Sequence, residues 1–390
     1  MNDIEIESFG EKIRIERVLA TIKGTESSPS VIVIAGIHGN ETAGVFAVKR
    51  VLQKIQKEKI AFRGNCYFIS GNLNALKKNI RFEKADLNRL WTHEHISKIN
   101  TPTNGFSADE NEQIAIYELI KDIFKTDEGP FYFIDLHTTS SATDPFITIS
   151  DSLNNRKFSS YFSIPIVLGI EEYLDGPLLT YINEFGHVAL GFEGGQHTEQ
   201  QSIDHCEACV WLALASSRCI YANEVDLKYY KKILSPNGKK RKFYEIDFKY
   251  DIKEGENFNM KPRFQNFQPI VKNETLAISD GKEIKAAMNG MIFMPLYQNQ
   301  GTDGFFIITE ISFFWLQLSA MVRKLKMHHL LRLLPGIKQD PTNSYTLIVN
   351  PKTAKFLATE IFHLFGYRKQ VIKDNKLHFI KRDRKISHFH

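Results

Sequence analysis

The sequence predicts an α/β protein. A mixed sheet with flanking helices is expected over residues 1–225, a smaller β-rich domain over 226–310, and a small α/β extension over 311–390. Three observations lead there. Over the first 220 residues, short apolar β-branched runs alternate with stretches that are apolar at helical spacing, the pattern of a layered α/β fold. Past residue 240 the strand-like runs shorten and are separated by Gly, Asn and Asp turns. At 390 residues the chain is also long for one compact domain, and its 43% hydrophobic and 24% charged content can furnish sizeable cores.

Taken in order, residues 31–35 form an unbroken apolar run, as expected of a strand buried on both faces. After Gly36-Ile-His-Gly-Asn40, apolar residues recur at helical spacing over 41–55 (Ala43, Ala47, Val48, Val51), with Asn40 as the expected N-cap. Residues 66–70 read as the next strand, 108–124 as a helix and 131–136 as another buried strand. Strands at 164–168 and 188–192 follow. Between 71 and 105 the chain is polar and weakly periodic, a length at which connections in compact domains tend to be functional.

Residues 202–221 read as one amphipathic helix carrying Cys206 and Cys209. With no second CxxC, these read as buried free thiols in a reducing compartment. Short strands are expected at 243–250, 273–279, 290–294 and 304–309. A long helix from Ile311 carries Trp315, Leu316, Met321, Leu325, Leu330 and Leu333. Its basic residues Arg323, Lys324, Lys326 and Arg332 admit a membrane-surface reading, but packing against the body with solvated charges is preferred. A strand at 345–349, a helix at 351–365 and a strand at 370–380 make a βαβ-like tail.

The net charge of +5 is modest. It suits an anionic substrate and gives no sign of nucleic-acid binding. The basic runs 239–242 and 381–385 read as solvated surface. The N-terminus lacks the basic-then-apolar pattern of a secretory signal, and the apolar window 305–321 is interrupted by Glu310 and other polar residues. No membrane span is therefore expected, and a cytoplasmic protein is. Homo-oligomerisation stays open.

Four short segments carry the chemistry. In the first, His38 and Glu41 lie three residues apart where a strand gives way to a helix, at the strand's C-terminal edge, where open α/β sheets bind ligands. Imidazole with carboxylate is a donor pair of catalytic zinc sites, although HxxE alone does not single out a metal. In the second, His137 ends an apolar strand at the same edge and can complete a His/Glu/His set. Asp135, two residues earlier and so on the same strand face, can orient a ligand. In the third, Glu193 sits among glycines at another strand end, as a proton-transferring base or as a strand-end ion pair. In the fourth, Arg81 and Asp86-Leu-Asn88-Arg89 bring arginine forks suited to carboxylates and oxyanions.

In this order the segments resemble the succinylglutamate desuccinylase/aspartoacylase family of the zinc-carboxypeptidase-like superfamily. The shared pattern is His38-Gly-Asn-Glu41, then Arg81 eight residues before the arginine of Asp86-Leu-Asn88-Arg89, then Asp135-Leu-His137, then Glu193 on a later strand. The resemblance implies a phosphorylase/hydrolase-like core and a β-rich appendage that narrows the substrate entrance. It implies one Zn2+ per chain on His38, Glu41 and His137, with Glu193 as general acid/base. Arg81 would polarise the scissile carbonyl, and Asn88 and Arg89 would hold the α-carboxylate of a small anionic N-acyl amino acid. Deacylation is the implied reaction; a carboxypeptidase-like peptidase and a metal-binding relative without activity are the alternatives. The sequence departs from aspartoacylases in having no arginine in 181–190, where Asn183 is the nearest counterpart. Tyr297 and Gln298 are further pocket residues, with an aromatic packing role for Tyr297 equally open.

Overall fold

A computed structural model of the chain describes residues 3–101, 105–236, 238, 241–350, 359–373 and 376–387. Alternation along the strand Ser30–Ala35 sends Val31, Val33 and Ala35 into one core and Ile32 and Ile34 into another, and all five are fully buried. An unbroken apolar run is stable only with both faces covered. Helices Ala43–Glu58 and Gln200–Ser216 cover the first face, and helix Ala108–Thr126, through Ile116, Tyr117 and Ile120, covers the second. Burial of each such side chain contributes about 1.5–3 kcal/mol.

The strand belongs to an eleven-stranded sheet. From one edge its members are Gln268–Ile270, Gly290–Phe293, Asp303–Ile311, Phe243–Asp251, Ile166–Leu168 and Phe146–Ile149. Val188–Gln196, Phe131–Thr139, Ser30–Ala35, Asn65–Ser70 and Val18–Ile22 complete it. Ser30–Ala35, Phe131–Thr139 and Val188–Gln196 are adjacent and parallel, so their C-terminal ends open on one edge. That edge carries His38, His137 and Glu193.

Residues 226–310 continue this sheet as well as forming one of their own. Phe243–Asp251 pairs in parallel with Ile166–Leu168, a fully buried strand whose open edge would otherwise leave backbone groups unpaired. Phe258–Met260, Thr275–Ser279 and Lys282–Lys285 make a separate three-stranded sheet. The four C-terminal strands pair antiparallel throughout, not as a βαβ unit, around a small core that includes Leu347, Phe362 and Phe379. Of the helix expected at 351–365, Thr359–Leu364 is helical and 351–358 lie outside the described residues.

Other expectations are corrected. The segment 71–105 is not structureless, since it holds helices Leu73–Lys78 and His93–Ile99 and a 3₁₀ turn Leu87–Arg89. Asn40 does not cap the first long helix, which starts at Ala43 with Thr42 before it; the Asn40 amide donates instead to Gln298 Oε1 at 3.0 Å. The run 381–385 is solvated only in part: Lys385 is exposed, but Arg382 is buried beside Glu171, and Arg384 donates to the Glu184 carbonyl. Of the run 239–242, Lys239 and Lys240 lie outside the described residues. The preferred packing of the 311–334 segment holds only in part: Leu316, Val322 and Leu331 are buried and so is Arg323, whose charge is not solvated, while most of the large apolar side chains are exposed. All four cysteines are free and buried, as expected.

Candidate metal centre and active site

The loop leaving Ser30–Ala35 lies so close to helix Leu73–Lys78 that only glycine fits. A Cβ on Gly39 would sit 2.1 Å from the Ala75 backbone, and Gly36 turns at φ +78° against Leu76. This turn sets His38 and Glu41 against His137. Glu41 Oε1 lies 2.8 Å from His38 Nδ1, and Glu41 Oε2 lies 2.8 Å from His137 Nδ1. The far ring nitrogens are also occupied: His38 Nε2 meets Asp86 Oδ1 at 3.0 Å, and His137 Nε2 meets Asp135 Oδ2 at 2.8 Å. Each imidazole thus stands between two carboxylates.

An N–H donated to the outer aspartate fixes the tautomer that turns the Nδ1 lone pair inward. In that state two lone pairs would face the oxygens of Glu41 and a metal cation would fit among them. Without one, a proton on His137 takes that place; burial opposes it, but Asp135 and Glu41 favour it and prevail. The three ligand atoms lie within 4.8 Å of one another, and two nitrogens with one carboxylate oxygen suit zinc. Burial alone would raise the Glu41 carboxyl, but the imidazoles of His38 and His137 hold it well below the usual carboxylate range. Burial likewise opposes ionisation of Asp86, and His38 and Arg81 override it.

Glu193 is the register partner of His137 on the neighbouring strand. Its Oε2 is buried without a hydrogen-bond partner. Burial pushes this carboxyl up to about 8, against the pull of His137 and with the repulsion of Glu41 and Asp135. Glu193, His38, Glu41, His137, Arg81, Asn88 and Arg89 all line one cavity of about 130 Å³.

Residues 27–209 match the family model described as the succinylglutamate desuccinylase/aspartoacylase catalytic domain. The α/β domain of this chain is thus similar in sequence to that catalytic domain, and similar in fold to solved structures of the family. A succinylglutamate desuccinylase of Photorhabdus laumondii is 30% identical over 38% of this chain, a stretch that spans only 45% of that relative's length. A succinylglutamate desuccinylase of Pseudoalteromonas atlantica is 24% identical, with 68% of this chain and 76% of the relative covered. The crystal structure of succinylglutamate desuccinylase from Vibrio cholerae shares the fold at a TM-score of 0.57 and 16% identity, covering 80% of this chain and 91% of the other.

Within the matched region, Arg81 donates from Nε and Nη2 to Asp86 Oδ2 and from Nη1 to Glu41 Oε1 at 3.3 Å. Its loop is pinned by Asp109, a fully buried carboxylate that accepts the backbone amides of Glu83, Lys84 and Ala85 as well as the Asn72 side chain. Asn88 Oδ1 accepts the Leu178 amide at 2.9 Å, and Arg89 Nη2 donates to Asp303 Oδ2 at 2.6 Å.

Sequence reasoning missed Asp109 and Asp303, which become meaningful only through contacts distant in sequence. It also passed over His197, which lines the cavity between Thr138 Oγ1 at 2.7 Å and Gln298 Oε1 at 3.2 Å. The signal for His197 was its position four residues after Glu193 on the same strand exit. Gln298 is on the cavity wall, but Tyr297 is not; its hydroxyl donates to the Lys261 carbonyl and accepts the Phe264 amide. Asn183 turns away from the cavity toward Asn155, whose amide donates to it at 2.6 Å.

Proposed function

We propose that the chain is a zinc-dependent hydrolase cleaving the amide bond of a small N-acyl amino acid, with one zinc ion per chain held by His38, Glu41 and His137. The observation that carries this reading is the convergence of three acceptor atoms within 4.8 Å beside the unpaired, buried oxygen of Glu193. When bound, zinc would polarise a carbonyl and bring the pKa of water toward ~7.

The remaining work falls to the chain's own residues. Glu193 takes a proton from the attacking water and delivers it to the leaving amine nitrogen. Its carboxyl is raised by burial, and a nearby cation favours the ionised form needed for the first transfer. Arg81 offers a guanidinium to the negative charge that develops on the carbonyl oxygen. Arg89 and the Asn88 amide receive the substrate carboxylate, with Asp303 fixing the Arg89 fork. Four buried thiols fit a reducing, cytoplasmic setting.

The cavity wall narrows the substrate class. Among the described residues that line it, there is no lysine or arginine apart from Arg81 and Arg89, and the part away from the ligand set includes Ile149, Leu174, Leu179, Ala189 and Phe306 with the hydroxyls of Thr148, Ser150 and Thr180. A second carboxylate would find no countercharge there, and burying it unpaired is costly. The acyl group accepted is therefore uncharged. Zinc-loaded protein assayed on N-acyl amino acids with short uncharged acyl groups, on N-succinylglutamate and on short peptides should show its highest kcat/KM on the first set. Preferential peptide cleavage would overturn the deacylase reading, and preference for the succinyl substrate would overturn the pocket reading alone.

A further inference from the structure

Helix Phe313–Lys324 is held to the body by a stripe of Leu316, Ser319 and Val322, with Arg323 buried against Asp151 and Asp383. The opposite side carries Phe314, Met321 and Leu325, whose spacings of seven and four residues put them on one ridge. Phe314 is 64% exposed and Leu325 65%. At the helix start Phe313 and Trp315 are 65% and 54% exposed, and Leu333, in the following 3₁₀ turn, is 80% exposed. So much aromatic and aliphatic surface in consecutive elements marks an interaction site.

The charge of the same segment names the partner. From Ile311 to Gln339 there is no Asp or Glu, while Arg323, Lys324, Lys326, Arg332 and Lys338 are all present. Arg323 is committed to its internal ion pairs; the other four are exposed. We propose that this face docks on an anionic lipid bilayer surface, with the aromatic and leucine side chains entering the interface and the lysines and Arg332 meeting the headgroups. Amphipathic helices with Trp, Phe and Leu on one side and cations beside them bind such surfaces, and aromatic rings favour the headgroup level. At 12 residues, about 18 Å of helix, the element is too short to span, and no described helix is long and apolar enough to cross a membrane. A second copy of the chain is the poorer occupant, because a two-fold contact would set this acid-free cationic rim against itself.

Trp315 supplies its own probe, since Trp91 and Trp211 are buried. The full chain is mixed with vesicles of phosphatidylcholine alone or of phosphatidylcholine with phosphatidylglycerol. Trp315 emission should shift to the blue and the protein should co-sediment only with the anionic vesicles, by a margin of roughly tenfold or more that shrinks with added salt. The pair Phe314→Ser and Leu325→Ser, and separately Lys324→Glu with Lys326→Glu, should each abolish co-sedimentation without changing the Tm. Equal binding to both vesicle types, no binding to either, or a concentration-dependent dimer that shields Trp315 in the absence of lipid would each overturn the proposal.

Discussion

Two clusters of buried charge can be set side by side, one at Asp151 and one at Glu41. Asp151 has no exposed surface, and both of its oxygens are met by cationic donors. Oδ1 accepts Arg156 Nε at 2.5 Å and Arg323 Nη1 at 3.2 Å, and Oδ2 accepts Arg156 Nη2 and Arg368 Nε, each at 2.8 Å. Glu41 is nearly as buried, but its oxygens face two ring nitrogens whose outer partners are already aspartates. Beside it, one Glu193 oxygen has no partner. The Asp151 cluster is closed around its carboxylate, with only Arg156 Nη1 left unpartnered among the described residues, and joins the C-terminal extension to the α/β body through Arg323 and Arg368. The Glu41 cluster is the open one: although Arg81 Nη1 and the Thr138 amide also reach Glu41, it gathers three potential metal-ligand atoms in a cavity beside the unpaired Glu193 oxygen. Burial and shifted ionisation are common to both, so they do not identify a site. What separates the two is complementarity left unmet inside a cavity.

The open cluster should fail in function and the closed one in stability. Glu193→Gln removes the proton-transferring group and keeps the three ligands. The expected result is unchanged zinc content with kcat lowered by roughly 10²–10⁴-fold. Metal analysis and steady-state kinetics on the same preparation test this, and undiminished turnover would end the role given to Glu193. Asp151→Ala leaves three guanidinium groups around a missing carboxylate. Removing one partner of such a buried network costs about 3–5 kcal/mol, read as a lowered urea midpoint. A loss below about 1 kcal/mol would mean that the cluster behaves like exposed ion pairs and does not join the two parts.

The open cluster was legible in the sequence and the closed one was not. His38, Glu41, His137 and Glu193 each sit where an apolar strand ends, and strand ends at one sheet edge converge whatever the surrounding detail. Asp135 was legible for a related reason, since a two-residue offset on a strand fixes its face. Asp151, Arg323 and Arg368 share no such local rule. They are separated by 172 and 217 residues along the chain, and only the docking of the C-terminal sheet brings them together. Asp109 was hidden differently: inside a helix start with a capping box formed by Ser107 and Glu110, it looked like ordinary first-turn acid. Four of the seven strands described between 243 and 311 were expected at nearly their true limits, while Phe258–Met260, Gln268–Ile270 and Lys282–Lys285 were not. The joining of this region to the central sheet depended on the open edge of Ile166–Leu168, which no pattern within 226–310 announces.

A smaller effect sharpens the comparison further, because the closed cluster should carry its own acid sensitivity. Glu172 accepts Arg368 Nη1 at 2.9 Å and lies 3.1 Å from His363 Nε2. Burial opposes its ionisation, but these partners hold its carboxyl down at about 2. Asp151 is held low as well, by Arg156, Arg323 and Arg368 against the same burial penalty. A carboxyl depressed on folding stabilises the native state fully above its unfolded value, near ~4.3 for glutamate, and that stability is lost as pH falls toward the folded value. The unfolded chain binds the proton first, so acid draws the equilibrium toward it. For Glu172 alone the loss by pH 3 is on the order of 2 kcal/mol. Urea midpoints of the wild type and of Glu172→Gln at neutral pH and at pH 3 isolate this contribution, since the proposed metal site titrates equally in both proteins. The substitution should lower the midpoint at neutral pH and narrow the gap between the two proteins at pH 3. A gap that stays constant across that window would show that the Arg368–Glu172–His363 contacts do not favour the charged carboxylate, and the closed cluster would then reduce to the three arginines around Asp151.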